Sequence, residues 1–480
     1  MSRQAKWAEL LDNAQTLAGE AHPLHVRGRL ARVSGMTVEA RGIRLPVGSV
    51  CNIEADELGA IDAEVLGFNE GHLMLMPTQS TNGLSPGVPV AALEPAVRRP
   101  RLGHPSHGWN RRSDQSRHLP IGPGLLGRIV DATGAAMDHQ GELAQTQNKP
   151  IRGRQINAMD RTPIKSALDT GVRAINSMLT VGRGQRIGLF AGAGVGKSIL
   201  LGMMARNTDA DIVVVGLIGE RGREVREFVD EILGASGRQR AAVVVAPADE
   251  PPLLKIQAAE YACAIAEYFR DQGLNVLLLM DSLTRYAMAL REVSLAMGEA
   301  PATRGYPASV FTRLPQLVER AGNSTAANGS ITALYTVLLE GDDLNDPVGD
   351  SARSHLDGHI VLSRELADSG HFPAISIDSS VSRVMPAVAD TEHQLAARSL
   401  RRAWSAYQQN RELITLGAYN PGSDPLLDRT IAAWPDIVDF VTQGMDDKSG
   451  ILNDIEHLKS IATLLDTELA PQGQVEGAGQ

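Results

Sequence analysis

Cysteine is almost missing from this chain: two residues in 480, Cys51 and Cys263, far apart. A disulfide framework and a thiolate metal site both need clustered sulfurs at short spacings, so both are excluded, and two isolated buried thiols in a reducing compartment fit instead. Aromatic residues are scarce, at 4%, and Phe68 is the single one between residues 22 and 95. The stacking platforms that single-stranded nucleic acid requires are therefore lacking there, which argues against an RNA translocase. Net positive charge is lacking as well. Forty-six basic residues against fifty-six acidic ones leave a formal charge of -10, so no global attraction to nucleic acid or anionic membranes exists, and no nucleic-acid partner is expected. No apolar run reaches the roughly 20 residues needed to cross a bilayer, and no secretory signal opens the chain. These absences predict a soluble, cytoplasmic protein.

What is present is enough apolar residue, 43%, for sizeable cores, and a length that suggests about three domains at roughly 150 residues each. Residues 1–20 include "RQAKWAELLDNAQTLAGE", which puts Trp7, Leu10, Leu11, Ala14 and Leu17 on one helical face. That helix either docks on its own domain or meets a partner or a membrane surface. Residues 21–95 are broken by Gly or Pro every several positions between short β-rich runs, as a small barrel would be. Residues 96–120 lose apolar periodicity. Their histidines His104, His107 and His118 have no Cys or carboxylate at metal-ligand spacing, so the stretch reads as an exposed linker.

Within residues 96–385, beyond Gly182, the apolar runs "RIGLF", "DIVVVGLIG", "AAVVVA", "NVLLLMD" and "SITALYTVLL" alternate with amphipathic stretches. That alternation predicts an α/β fold with a parallel sheet covered on both faces. From residue 386 to 480 the strand signals end; a helical segment begins with "HQLAARSLRRAWSAYQQNRELITLGA", and the last ten residues look disordered.

The densest chemical signal is "LFAGAGVGKSIL", residues 189–200. Gly192, Ala193, Gly194, Val195 and Gly196 would bend backbone N–H groups inward on an anion. Lys197, Ser198 and Ile199 would open a helix whose positive end faces the same point. In such a phosphate loop Lys197 reaches the β- and γ-phosphates and the Ser198 hydroxyl ligates Mg²⁺. The usual pattern has glycine where this chain has Ala191, its most permissive position. Asp281, closing the run "NVLLLMD", supplies the acid that a Walker-type Mg²⁺ site needs on a neighbouring strand. Glu220, in "GLIGERGREVREF" after another strand, would face the crevice above the sheet and polarise a water there. A salt bridge to Arg221 or Arg223 is its plainer alternative.

Five long stretches carry a family likeness: "MDRTPIKSALDTGVRAINSMLTVGRGQRIGLFAGAGVGKS", "VVVGLIGERGREVREF", "VLLLMDSLTRYAMALREVSLAMGE", "RGYPASVFTRLPQLVERAG" and "EGDDLNDPVGDSARSHLDGHIVLSREL". Together they resemble the flagellum-specific ATPases of the bacterial type III export apparatus, which are similar to the catalytic subunit of rotary F-type ATP synthases. The resemblance runs from about residue 22 to residue 440. It implies an N-terminal β-barrel, a central P-loop ATPase domain and a C-terminal helical domain, assembled as a homohexamer with ATP and Mg²⁺ at each subunit interface.

Carried onto this chain, the resemblance gives Gly194, Gly196, Lys197 and Ser198 to the phosphates and metal, and Asp281 to the Walker acid. It makes Glu220 the water-activating glutamate with Arg221 beside it, and Arg285 an arginine facing the site from the same subunit. Arg383, in "SSVSRVMP", becomes an arginine finger donated to the neighbour's γ-phosphate. Phe372 and Tyr419 stand where the family has aromatics near the adenine, although either could be core. The implied partners are a stator-like negative regulator at the N-terminal helix, a central-stalk-like coiled coil, export-gate membrane proteins and chaperone–cargo complexes. The implied location is the inner face of the cytoplasmic membrane.

Three related readings share these motifs. A virulence injectisome ATPase has the same catalytic set, and the barrel sequence leans flagellar. A rotary synthase subunit would carry a dense acidic C-terminal stretch that is missing here. A noncatalytic ring subunit would replace the glutamate that this chain keeps at 220.

Overall fold

The computed structural model describes residues 3–20, 27–55, 59–93, 117–153, 156–324, 329–339, 341 and 346–466. The chain divides into two compact units, Met1–Ser116 and Arg117–Gln480. Two expectations lie outside the described residues: the linker histidines His104 and His107, and the character of the last ten residues.

The first unit opens with the helix Arg3–Glu20. Trp7, Leu10 and Leu11 on its apolar face are 59%, 60% and 63% exposed. Six antiparallel strands then close a barrel in the order Arg27–Ser34, Thr37–Arg41, His72–Pro77, Gly59–Asn69, Val50–Ala55 and Pro89–Ala92, the last pairing back to the first. Side chains alternate between faces along a strand. Ile61, Ala63 and Val65 therefore fill the interior together with Leu30, Val38, Ile53, Leu75 and Cys51, while Asp62 and Glu64 turn away. Closure leaves no unpaired strand edge.

The second unit is built on a sheet in the order Val381–Ser382, Gly358–Val361, Arg186–Ala191, Ser330–Leu338, Asn275–Asp281, Ile212–Ile218, Ala241–Ala246, Ile129–Asp131, with Gly322–Asn323 added beside Ser330–Leu338. The inner pairings are parallel; Val381–Ser382 and Gly322–Asn323 join antiparallel. Runs such as Ile212–Ile218 and Ala241–Ala246 are buried along their whole length, as a sheet covered on both faces demands.

Two features depart from the sequence reading. Ile129–Asp131 extends the sheet beyond Ala241–Ala246, a strand too short to register as a periodic run. The expected linker also ends early, because His118–Ile121 pairs with Gln147–Pro150 and buries Leu119 and Ile121 on alternate positions.

Three helices, Thr391–Thr415, Pro425–Val441 and Ile451–Asp466, follow the sheet. Asp390 and Asp424 cap the first two by accepting hydrogen bonds from first-turn N–H groups, and Pro425 sits where its missing N–H costs nothing. Trp404, Ile437, Phe440 and Leu458 from these helices share one core with Leu189, Ile360 and Ile375 from the sheet side. Burying each such side chain contributes about 1.5–3 kcal/mol, so the helices are firmly seated. A polar tie reinforces them: the Asn176 side-chain amide donates to Asp169 and Asp454, each at 2.8 Å.

Candidate active site

The strand Arg186–Ala191 is buried almost throughout and drives directly into the glycine loop. Gly194 and Gly196 have φ of +79° and +87°, the left-handed region where a side chain is strained. At Gly196 space is also short, since a Cβ there would stand 3.4 Å from two ring carbons of Phe372. The helix Lys197–Asn207 starts immediately, with Gly196 at its N-cap and no side chain capping it. Its first-turn N–H groups thus lack both helical and side-chain acceptors, which is the arrangement an anion fills. Ala191 is paired with Leu338 inside the sheet and fully buried, so the atypical residue belongs to the strand rather than the loop.

Parallel register sets the carboxyl ends of neighbouring strands level, with Leu217 opposite Asp281 and Met280 opposite Tyr335. Side chains that follow those ends converge on the crevice where open α/β sheets bind ligands. The Lys197 ammonium donates to Asp281 at 2.6 Å and to Glu220 at 3.5 Å. Asp281 is 3% exposed and also accepts a hydrogen bond of 2.7 Å from the Thr336 hydroxyl. Burial opposes the charge on Lys197, yet Asp281 and then Glu220 outweigh it and hold its pKa above the ordinary lysine value. Burial, followed by the nearby Asp281 carboxylate, pushes Glu220 up to about 7 against the pull of Lys197. Two carboxylates share one cation here, and the outer one stands near neutrality. The alternative pairing of Glu220 with Arg221 is not what forms: Arg221 is 81% exposed and meets Glu224 at 3.5 Å.

Arg285 lies on the helix Leu283–Ala296, which begins two residues after Asp281 and is capped by the Ser282 hydroxyl. Its stem lies along the backbone that leads to Glu220, so that a Cβ at Gly219 would come within 3.0 Å of it. The Arg285 Nε is buried without a hydrogen-bond partner. Phe372 holds its ring against the loop at Gly196, and its carbonyl accepts the Gln443 N–H at 2.9 Å. Lys197, Glu220, Asp281, Arg285 and Phe372 are therefore gathered around the loop.

Three other sequence candidates stand apart. Tyr419 is half-buried and donates to Asp428 at 2.9 Å. Arg383 is exposed just beyond the edge strand Val381–Ser382, two strands over from the one that feeds the loop, and donates to the Leu356 carbonyl at 3.3 Å. Arg221 points outward, as described. Ser198 is half-buried and Ile199 is 42% exposed at the helix start. Thr336 escaped the sequence reading. In sequence it is one of several hydroxyls in the run Ser330–Leu338, and the register beside Asp281 is what makes it informative.

Comparison with known proteins follows the same division of the chain. Residues 171–382 match the nucleotide-binding domain of the ATP synthase alpha/beta family, and residues 389–460 match the C-terminal domain of the type III secretion ATPase EscN. The flagellum-specific ATP synthase of Pseudomonas aeruginosa is 52% identical over 440 residues, covering 91% of this chain and 93% of its own. The assembled ATPase EscN of the enteropathogenic E. coli type III secretion system superposes with a TM-score of 0.82 at 41% identity, over 91% of this chain and all of its own. EscN in complex with its central stalk EscO gives 0.80 at 40% identity, with the same coverage.

Proposed function

The chain belongs to the flagellum-specific ATP synthase family and is an ATPase of the bacterial flagellar export apparatus, and from that premise we propose how its residues divide the reaction. The observation that carries the proposal is Lys197, set between Asp281 and Glu220 behind an uncapped helix start. The likeness of residues 389–460 to a type III secretion ATPase supports an export enzyme over a rotary synthase subunit.

Backbone N–H groups from Gly192 to Ile199 hold the triphosphate, and the Lys197 ammonium exchanges its two carboxylates for the β- and γ-phosphate oxygens. The Ser198 hydroxyl and the Asp281 carboxylate are hard oxygen donors of the kind Mg²⁺ takes, so the residues present fit that ion; when bound it neutralises phosphate charge. Thr336 orients Asp281 for this role. Glu220, released from Lys197, accepts the proton of the attacking water, and a pKa near 7 matches that task at cytoplasmic pH. Arg285 stabilises charge from the same subunit, Arg221 stands next to Glu220, and Arg383 is donated across the subunit boundary. No helix among the described residues is long and apolar enough to cross a membrane.

The same reading makes the working form a homohexamer, supported by the likeness to assembled EscN. A central-stalk-like coiled coil as partner is supported by the EscN–EscO complex. The exposed Trp7, Leu10 and Leu11 fit a stator-like regulator at the N-terminal helix. Export-gate proteins and chaperone–cargo complexes complete the set of partners, with the enzyme acting at the inner face of the membrane.

Glu220→Gln tests the chemical assignment. Phosphate release by the assembled enzyme is expected to fall about 10²-fold with nucleotide affinity retained. In the parent protein kcat should climb with pH through about 7, as Glu220 becomes a carboxylate, and the variant should lose this acidic limb. The sign for stability is opposite. A carboxyl whose folded-state pKa is raised favours folding below its unfolded value and loses that contribution as pH rises through 7, so Glu220→Gln should melt higher than the parent at pH 8. A parent-like pH profile in the variant would remove Glu220 from the reaction.

Phe372 stands against the loop with 41% of its surface open, ready to stack on a base. Phe372→Ala is expected to weaken ATP binding about 10-fold, measured by titration with a fluorescent nucleotide, and to leave kcat at saturation little changed. An unaltered affinity would reassign the ring to packing.

A further inference from the structure

The turn that follows the helix Pro425–Val441 holds on to both ends of the helix that opens on the phosphate loop. At the loop end the Gln443 N–H donates to the Phe372 carbonyl at 2.9 Å, and a Cβ on Gly196 would meet the Phe372 ring at 3.4 Å. At the far end of Lys197–Asn207 the Arg206 guanidinium donates to the Met445 carbonyl and, at 2.8 Å, to the Ile232 carbonyl. The turn is also closed on itself. The Gly444 N–H donates to the Asp447 carboxylate at 2.9 Å, and the Asp447 N–H to the Gly444 carbonyl at 3.1 Å.

The Gln443 side chain seats this turn against the rest of the domain. It is 5% exposed; its oxygen accepts the Arg173 N–H at 2.8 Å, and its amide donates to the Gly171 carbonyl at 2.9 Å and the Asp447 carbonyl at 3.0 Å. One acceptor faces an N–H and two donors face carbonyls, so a single orientation of the amide satisfies all three. Its anchors are themselves fixed. Arg173 starts a helix that is buried from Ala174 to Met178, and at Gly171, where φ is +71°, a Cβ would stand 2.1 Å from the Asn207 side chain. Truncating Gln443 would leave a backbone N–H and two carbonyls unpaired in a buried place, and the turn would shift to recover them. The Phe372 backbone, bonded to the same residue, would shift with it.

We propose that Gln443 is a positioning residue for Phe372: its buried amide locks the turn whose backbone N–H holds the Phe372 carbonyl, and so sets the ring at its place beside the loop for the base of a nucleoside triphosphate. This rests on the reading of Phe372 as the face on which the base stacks. The effect is confined to one end of the nucleotide. Of the residues that Gln443 bonds, only Phe372 belongs to the group around the loop, so the base end depends on this amide while the phosphate end, held by Lys197, does not. A residue beyond the helix Pro425–Val441 thereby tunes nucleotide affinity without touching phosphate or metal.

The test uses the full-length protein, with Gln443→Ala and Gln443→Met compared with Phe372→Ala and with Phe372→Ala combined with Gln443→Ala. Calorimetric titration gives the affinity for ATP and for inorganic tripolyphosphate, which has the phosphates without the base, and steady-state kinetics give kcat and KM. Both Gln443 variants are expected to bind ATP about 5-fold more weakly, with tripolyphosphate affinity and kcat at saturation close to the parent values. Adding Gln443→Ala to Phe372→Ala should cost little more, because the two act through one contact. That comparison decides the case even where tripolyphosphate binds too weakly to titrate. Parent-like ATP affinity in the Gln443 variants overturns the proposal, as does an equal loss for tripolyphosphate or losses that multiply in the double variant. Failure of both Gln443 variants to fold also overturns it, by making the residue a scaffold element. If Phe372→Ala itself binds ATP as the parent does, the reading of Phe372 falls and the role of Gln443 falls with it; if Phe372→Ala binds weakly while the Gln443 variants are normal, only the present proposal fails.

Discussion

Lys197→Ala should reduce ATP turnover by about 10³-fold and loosen nucleotide binding, because one ammonium serves two purposes at this site. With phosphate bound, the proposed reading makes it the principal side-chain charge reaching the β- and γ-oxygens. Without phosphate, it is the cation held 2.6 Å from Asp281 and 3.5 Å from Glu220. Removing it leaves two carboxylates facing each other in a largely dry pocket, and one of them must take up a proton. Glu220, already pushed up to about 7, is the one placed to do so, which takes it out of service as a base at neutral pH.

The stability effect has a definite pH dependence. The raised lysine pKa contributes stability that is fully present below the unfolded lysine value and is lost only as the solution becomes strongly alkaline. At pH 8 the variant should therefore be less stable by about 3 kcal/mol, the low end for breaking a buried pair. At pH 5 the penalty shrinks, since Glu220, pushed up to about 7, is then protonated. Phosphate release, nucleotide titration and melting curves at the two pH values check these statements. Unchanged turnover in Lys197→Ala would remove the basis for a triphosphate site.

Arg383→Ala should cost about 10³-fold in kcat while leaving nucleotide affinity close to the parent value. The residue is exposed beyond the edge strand of its own sheet, two strands over from the one that feeds the phosphate loop, as the proposed contact with a phosphate in another copy of the chain requires. Turnover of the parent protein should accordingly rise cooperatively with protein concentration as rings close, and Arg383→Ala should show no such rise.

Mixing provides a sharper test. In the proposed head-to-tail ring each site would take Lys197 from one protomer and Arg383 from the next. Equal amounts of Lys197→Ala and Arg383→Ala, each inactive alone, should regain about a quarter of the parent activity, since about one interface in four joins an intact loop to an intact arginine. No recovery in rings shown to be mixed would mean that the two residues do not share a site.

Much of this was legible before any coordinates, and the particular residues explain why. The glycine spacing at 192, 194 and 196, followed by Lys197 and Ser198, is a local code: backbone conformation and helix start are set by neighbours in sequence, so the loop can be read as a string. The parallel sheet was equally plain, because strands buried on both faces are apolar throughout. The barrel followed from short alternating runs. Less could be said where elements were short: Ile129–Asp131 is three residues long, and His118–Ile121 is four, with a proline between its two buried side chains.

By itself, then, the sequence determined which residues could bind phosphate, which strands would form, and which acids were available. Only the tertiary structure decided how they combine. Register between strands far apart in the chain put Thr336 on Asp281, turned Glu220 toward Lys197 rather than Arg221, and set its pKa through burial. It also placed Arg353 over the ring of Phe190. The physical reason is distance: loop geometry depends on adjacent dihedrals, whereas charge, desolvation and side-chain contact depend on separations of a few ångströms between residues that the chain order leaves far apart.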